Sequence, residues 1–257
     1  MREILYGRNP VYECLRARRR DVFKVLLAQG AEEKGTLAAI VALAREQSVP
    51  VLRVERQQLD RTGAHDHHQG VAAEVSAYPY VSLDELLSLA SARGELPWLV
   101  LFDCLQDPQN LGTLLRTAEV VGVHGVVIPG RRSAEVTPAV VSASSGASEH
   151  MRVAQVTNLV RAMEQIQARD VWIAGLEDVP GAQVVWEADL IGALAVVVGS
   201  EGQGMRRLVR ETCDFMIRLP VRGQVGSLNA AVAGSVALYE VARQRGLSEP
   251  GAGPAGL

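Results

Sequence analysis

Apolar positions along this chain follow two rhythms that alternate from one stretch to the next. Behind Asn9-Pro10, which reads as an N-cap and a first-turn proline, Val11, Cys14 and Leu15 recur at helical spacing, so a helix is expected there. Val22–Leu27 reads as a strand, and Leu37, Ile40, Val41 and Ala44 mark one face of a second helix. Strands are expected at Val51–Val54 and Gly70–Val75. Residues 1–76 therefore look like a small α/β domain. Residues 77–97 hold Tyr78-Pro79-Tyr80, the capping-box pattern Ser82 to Glu85 and the breaker Gly94 to Pro97, and are read as a linker.

From Trp98 the alternation becomes regular. Strands are expected at Leu99–Phe102, Val126–Ile128, near Val153, at Trp172–Ala174, Leu194–Val198 and Phe215–Leu219. Helices are expected from Asn110, from Thr137-Pro138, from Met205 and from Ser227 to about Arg245. Continuous apolar strands alternating with helices imply a mostly parallel sheet covered on both faces. Residues 98–246 are thus a second α/β domain, and residues 247–257, rich in Gly, Pro and Ala, are expected to be a disordered tail.

Composition narrows the classes. The chain has 257 residues, 48% of them apolar, enough for substantial cores. No N-terminal stretch resembles a signal peptide, and the longest apolar run, Leu190–Val198, is too short for a bilayer, so a cytoplasmic protein without a membrane partner is expected. Cys14, Cys104 and Cys213 show no paired spacing and are read as reduced. His65-Asp66-His67-His68 is compact but reads as a solvated loop, and no metal is expected. A net charge of −3 excludes a uniformly basic coat. Through Tyr80, however, 12 Lys and Arg stand against 10 Asp and Glu, and beyond it 14 against 19, so positive charge leans to the N-terminal part.

Three polar loops sit where a strand turns into a helix, the place where open α/β sheets bind ligands. The first is Asp107-Pro108-Gln109-Asn110-Leu111-Gly112, leading to Arg116-Thr117. Asn110 is a candidate N-cap, and Arg116 falls on the less apolar side of the helix. The second is Gly199-Ser200-Glu201-Gly202-Gln203-Gly204. Its glycines are out of order for a dinucleotide fingerprint, and Glu201 would repel a pyrophosphate, which disfavours a nucleotide-dependent oxidoreductase. It reads either as a tight turn or as a backbone surface for a neutral or cationic ligand. The third is Gly223 to Asn229, with Ser227 as a candidate N-cap and Asn229 one turn inside the last helix.

In order and content these loops resemble the three signature motifs of the SpoU family of RNA ribose 2′-O-methyltransferases. The matching residues are Asn110-x-Gly112-x-x-x-Arg116-Thr117, then Gly199-Ser200-Glu201-Gly202-x-Gly204, then Leu219-Pro220 with Ser227-Leu228-Asn229. Tyr6-Gly7-Arg8-Asn9-Pro10-Val11 and His68-Gln69-Gly70-Val71 look like the substrate-binding domain attached to many members, most like the branch that methylates guanosine in 23S ribosomal RNA. The chain departs from relatives at Ala230-Ala231, where Val-Ser is common, and at Leu219, where isoleucine is common.

The resemblance implies a trefoil-knotted C-terminal α/β domain holding S-adenosyl-L-methionine, with contacts from Val198, Gly199, Ser200, Leu219, Ser227 and Leu228. It implies a homodimer in which Arg116 reaches a site completed by the other subunit, and catalytic roles for Arg116, Asn110, Glu201 and Asn229. Arg8, Arg16, Arg18 and Arg19, with neighbouring Arg20, are the candidate RNA contacts of the basic N-terminal domain. The expected partner is ribosomal RNA of the large subunit. Transfer RNA, or a non-catalytic role in RNA binding and assembly, are the alternatives.

Overall fold

A computed structural model of the chain describes residues 2–61, 68–131 and 133–246. Most of the His65–His68 stretch and the whole of the expected tail lie outside the described residues. In chain order the elements are β1 (Arg2–Tyr6), α1 (Arg8–Ala17), β2 (Val22–Ala28), α2 (Thr36–Glu46), β3 (Val51–Val54), the single-turn α3 (Arg56–Leu59), β4 (Val71–Ser76) and α4 (Leu83–Arg93). There follow β5 (Trp98–Phe102), α5 (Pro108–Val120), β6 (Gly125–Pro129), α6 (Pro138–Ala143), β7 (Val153–Val156), α7 (Leu159–Gln167), β8 (Trp172–Leu176), β9 (Gln183–Val184), β10 (Leu194–Val198), α8 (Arg207–Thr212), β11 (Phe215–Arg218) and α9 (Ala230–Gln244). No described helix is long and apolar enough to cross a membrane.

Several expected boundaries move for local reasons. Helix α1 starts at Arg8 rather than behind Asn9, because Gly7 (φ 94°) turns the chain out of β1. The expected linker contains a full helix: Ser82 Oγ accepts from the Glu85 amide, Glu85 answers at the Ser82 amide, and Gly94 ends the helix in a left-handed cap. Strand β1 and helix α7 are additions to the sequence reading. The helix buries Leu159, Ala162, Met163 and Ile166, a helical spacing legible in the sequence.

The chain forms two compact units. The first runs to Val81 and recruits Gln106–Glu119 and Ala134–Arg152. Its sheet has the order β1-β4-β2-β3, antiparallel except for the β2–β3 pair. Gly112 of α5 packs within this unit so closely on α6 that a Cβ there would stand 2.5 Å from Ala143 Cβ and 2.9 Å from the Ser144 nitrogen.

The second unit carries a seven-stranded, wholly parallel sheet of order β7-β6-β5-β10-β8-β11-β9. Its central strands β5 and β10 are buried at every position, as the continuous apolar runs require. Register fixes what emerges at their carboxyl ends. Val198 lies opposite Phe102 on one side and Leu176 on the other, so Asp103, Gly199 and Glu177 leave the sheet side by side.

Candidate active site

The second unit gathers a cavity of about 290 Å³ at these strand ends. Val198, Gly199, Ser200, Leu219, Ser227 and Leu228, the six residues expected to hold a cofactor, all line it, as does Glu201. The sequence reading missed Leu176, Glu177 and Asp178 at the end of β8, Arg218, and Ala233 of α9, which line it too.

The glycine-rich turn is built to close on itself. The Ser200 amide donates to the Gly204 carbonyl (3.1 Å) and the Gly204 amide returns to Ser200 (3.0 Å). A side chain on Gly199 would collide with the Gly204–Met205 backbone, 2.6–2.8 Å away, and Gly204 adopts φ +65° against Glu177. Glycine is therefore needed here for packing as well as for access. The Ser200 and Gly204 amides are thus occupied within the turn, which leaves side chains and the rest of the loop to meet a ligand.

Two buried or half-buried acids brace the segment after this turn. Asp103, fully buried, accepts from the Arg206 amide and from Arg206 Nε, both at 2.7 Å. Glu177 takes a two-pronged bond from Arg210 (2.7 and 2.8 Å), and Arg210 also donates to the Met205 carbonyl (3.2 Å). Such fork-to-carboxylate pairs fix orientation as well as charge.

The third loop differs from expectation. Ser227 does not cap α9. Asn229 does, its Oδ1 accepting from Ala231 N (2.9 Å) and Val232 N (3.2 Å). Its Nδ2 donates to Glu201 Oε2 at 3.0 Å. One amide thus caps the helix and ties two cavity loops together.

Asn110 and Arg116 belong to the first unit. Asn110 is not an N-cap either: α5 begins at Pro108, Asp107 Oδ1 accepts from the Gln109 amide (3.0 Å), and Asn110 is buried inside the first turn. The Asp-Pro pair supplies the start signal, because proline at the first helical position has no amide to waste. Arg116 is exposed, and its Nη1 donates to Ser145 Oγ at 3.2 Å.

The arginine cluster divides. Arg8, Arg16 and Arg18 are exposed; Arg16 pairs with Glu13 and Arg18 with Glu46. Arg19 and Arg20 turn inward, which corrects their assignment to an RNA surface. Arg19 donates to the carbonyls of Glu149, Met151 and Pro79. Arg20, buried, pairs with Glu3 (2.7 Å) and Glu149 (2.9 Å). A guanidinium held by fixed protein acceptors has no reason to trade them for a phosphate. Burial pushes the Glu149 carboxyl up despite the opposing Arg20, and burial beside Glu149 raises the Cys14 thiol well above its ordinary range. Among the described residues no group of His, Cys, Asp and Glu is placed to hold a metal.

A fold with this sheet order and a cavity at the glycine-rich strand end defines the class, and comparison with known proteins gives the family. Residues 97–239 match the SpoU rRNA Methylase family and residues 4–81 match the RNA 2′-O ribose methyltransferase substrate-binding family. The chain belongs to the SpoU/TrmH family of RNA ribose methyltransferases, whose cofactor is S-adenosylmethionine. It is 43% identical over 245 residues to YacO of Bacillus subtilis (strain 168), assigned to the TrmH family of tRNA/rRNA methyltransferases, covering 95% of this chain and 96% of YacO. The fold matches that of the SpoU methyltransferase AviRb from Streptomyces viridochromogenes in complex with AdoMet, with a TM-score of 0.77 at 23% identity over 95% of this chain and 90% of that one. The A. aeolicus TrmH/SpoU tRNA modifying enzyme matches with a TM-score of 0.54 at 25% identity, over 63% of this chain and 84% of its own.

Proposed function

We propose that this protein methylates the ribose 2′-hydroxyl of a guanosine in 23S ribosomal RNA, acting as a homodimer. The observation that carries the reading is the convergence of the six expected cofactor residues on one cavity. Its lining suits the cofactor. Leu176, Val198, Leu219 and Leu228 offer an apolar wall for an adenine, while Glu177, Asp178 and Glu201 offer carboxylates for hydroxyl and cationic groups. S-adenosylmethionine, when bound, supplies a methyl group on an electrophilic sulfonium.

The chain's own residues align the ribose and deal with the hydroxyl proton. A guanidinium offers five donors and no acceptor, so Arg116 serves best by stabilising the developing alkoxide and holding a neighbouring phosphate. Asn110 supports the start of its helix, and Glu201 with Asn229 fixes the cavity loops. Exposed Arg8, Arg16 and Arg18 are the phosphate contacts of the N-terminal domain. A second copy of the chain is supported by an exposed apolar stripe on α9, Val232, Val236 and Tyr239, at the spacing of one helix face. Ribosomal RNA is favoured by the N-terminal substrate-binding domain, residues 4–81, which adds an RNA-contacting surface to the methyltransferase domain.

The test is transfer of radiolabelled methyl to unmodified 23S, 16S and transfer RNA in parallel, followed by alkaline hydrolysis. Alkali-resistant dinucleotides carrying 5′ methylguanosine from 23S RNA are expected. Label confined to transfer RNA would overturn the substrate, and label in no RNA would overturn the activity.

A further inference from the structure

Arg116 stands on an exposed helix face, where a four-torsion side chain has little to hold it. Its described partner is Ser145, in the segment between α6 and β7. Ser145 adopts the left-handed conformation, φ +53°, and Gly146 follows with φ +87°. Two close approaches fix this segment. On one side Gly112, one turn before Arg116, sits against Ala143 and Ser144. On the other, α1 of the N-terminal sheet domain packs on Gly146: a Cβ there would lie 2.8 Å from Glu13 Cβ and 3.0 Å from the Asn9 carbonyl.

Beyond Gly146 the same domain grips the segment with polar contacts. Glu13 meets His150 Nε2 at 2.7 Å. The single Tyr78 hydroxyl proton is shared between the carbonyls of Ser148 (2.9 Å) and Met151 (2.7 Å). Arg20 holds Glu149 at 2.9 Å with both side chains fully buried, and Arg19 donates to the Glu149 and Met151 carbonyls. A buried ion pair contributes little net stability over an apolar pair, but it specifies one arrangement, because a misplaced partner would leave a bare charge.

We infer that Ser145 is a positioning residue for Arg116, and that the N-terminal substrate-binding domain, by clamping residues 145–151, sets the orientation in which Arg116 meets the RNA. The inference rests on the reading that Arg116 serves the ribose hydroxyl. The Ser145 bond occupies one of the five guanidinium donors and fixes the plane of the others. RNA docking on the N-terminal domain is thereby coupled to the arginine through α1, Gly146 and Ser145.

Single-turnover methyl transfer by the full chain tests this, with cofactor affinity measured calorimetrically. Ser145→Ala is expected to lower the rate at saturating RNA about tenfold, the scale of a hydrogen bond to a charged group, with unchanged S-adenosylmethionine affinity. Ser145→Asn, which keeps an oxygen acceptor and tolerates the left-handed backbone, restores most of the rate. In an Arg116→Ala background Ser145→Ala costs nothing further. Arg20→Lys, which keeps the charge but loses the fork, gives a rate defect that is not additive with Ser145→Ala. A wild-type rate for Ser145→Ala, or a loss that adds fully to that of Arg116→Ala, overturns the proposal. The Arg116 side-chain Nε–Hε resonance separates it from the activity itself. A shift on Ser145→Ala supports the contact even if no RNA is methylated, and an unmoved resonance refutes it.

Discussion

Asn229 caps α9 with its Oδ1 and, from the same amide, donates Nδ2 to Glu201 Oε2 at 3.0 Å. The two halves of this group can be separated. Asn229→Asp keeps the cap but turns the donor into an acceptor facing Glu201, so stability should stay near wild type while S-adenosylmethionine binding weakens about tenfold, as for loss of a charge-assisted bond. Asn229→Ala should also lose about 1 kcal/mol of stability with the cap. Chemical denaturation and calorimetric titration of both variants distinguish the roles.

Gly112 has no room for a methyl group, because Ala143 Cβ, the Ser144 nitrogen and the Val140 carbonyl all stand 2.5–2.9 Å from its ideal Cβ position. Gly112→Ala should destabilise the protein by about 1–3 kcal/mol, the scale of overpacking. Gly202, whose Cβ position meets nothing within 4 Å, has φ +79°, so Gly202→Ala tests backbone conformation alone. It should cost less, about 1 kcal/mol. Equal denaturant midpoints for the two variants would contradict the steric account.

Arg20 neutralises Glu149 and Glu3 in a buried setting. Arg20→Met should cost about 3–5 kcal/mol by leaving Glu149 uncompensated, and adding Glu149→Leu should recover a large part of that loss. Urea unfolding of the two variants gives the comparison, and a double variant no better than the single would contradict the electrostatic explanation.

Burial pushes the Tyr78 phenol up to about 12, and its hydroxyl must keep its proton to donate to Ser148 and Met151. The folded state therefore favours the protonated form more than the unfolded state does. The corresponding stability is full below pH 10 and is lost as pH rises towards 12, about 2–3 kcal/mol over the interval. Tyr78→Phe should be less stable at neutral pH and should flatten the alkaline slope seen in unfolding midpoints between pH 9.5 and 12.

How much of this was legible in the sequence follows from the range of each interaction. Strands β5 and β10 announce themselves by unbroken apolar runs, and the three motif loops by where the apolar pattern stops. Three helix starts stand two or three residues from where the polar pattern puts them. Asn229 rather than Ser227, and Asp107 rather than Asn110, take the amides, a choice settled by backbone angles that several polar residues in a row do not fix. Leu176, Glu177 and Asp178 could not be found, because they join the cavity only through the non-sequential placing of β8 beside β10. Arg19 and Arg20 looked like part of a basic surface. The partners that bury them, Glu149 and the carbonyls around it, include groups about 130 residues away in sequence, beyond the reach of any local pattern.

The most direct test of the central claim, that the cavity at the ends of β8, β10 and β11 holds the methyl donor, is calorimetric titration of S-adenosylmethionine into the wild type and into Ala233→Phe and Ser227→Trp, each of which places a ring in the cavity. One site per chain in the wild type, displaced by S-adenosylhomocysteine and lost in both variants while their thermal unfolding stays cooperative, is the predicted result. Undiminished binding in two folded variants would place the cofactor elsewhere and contradict the account.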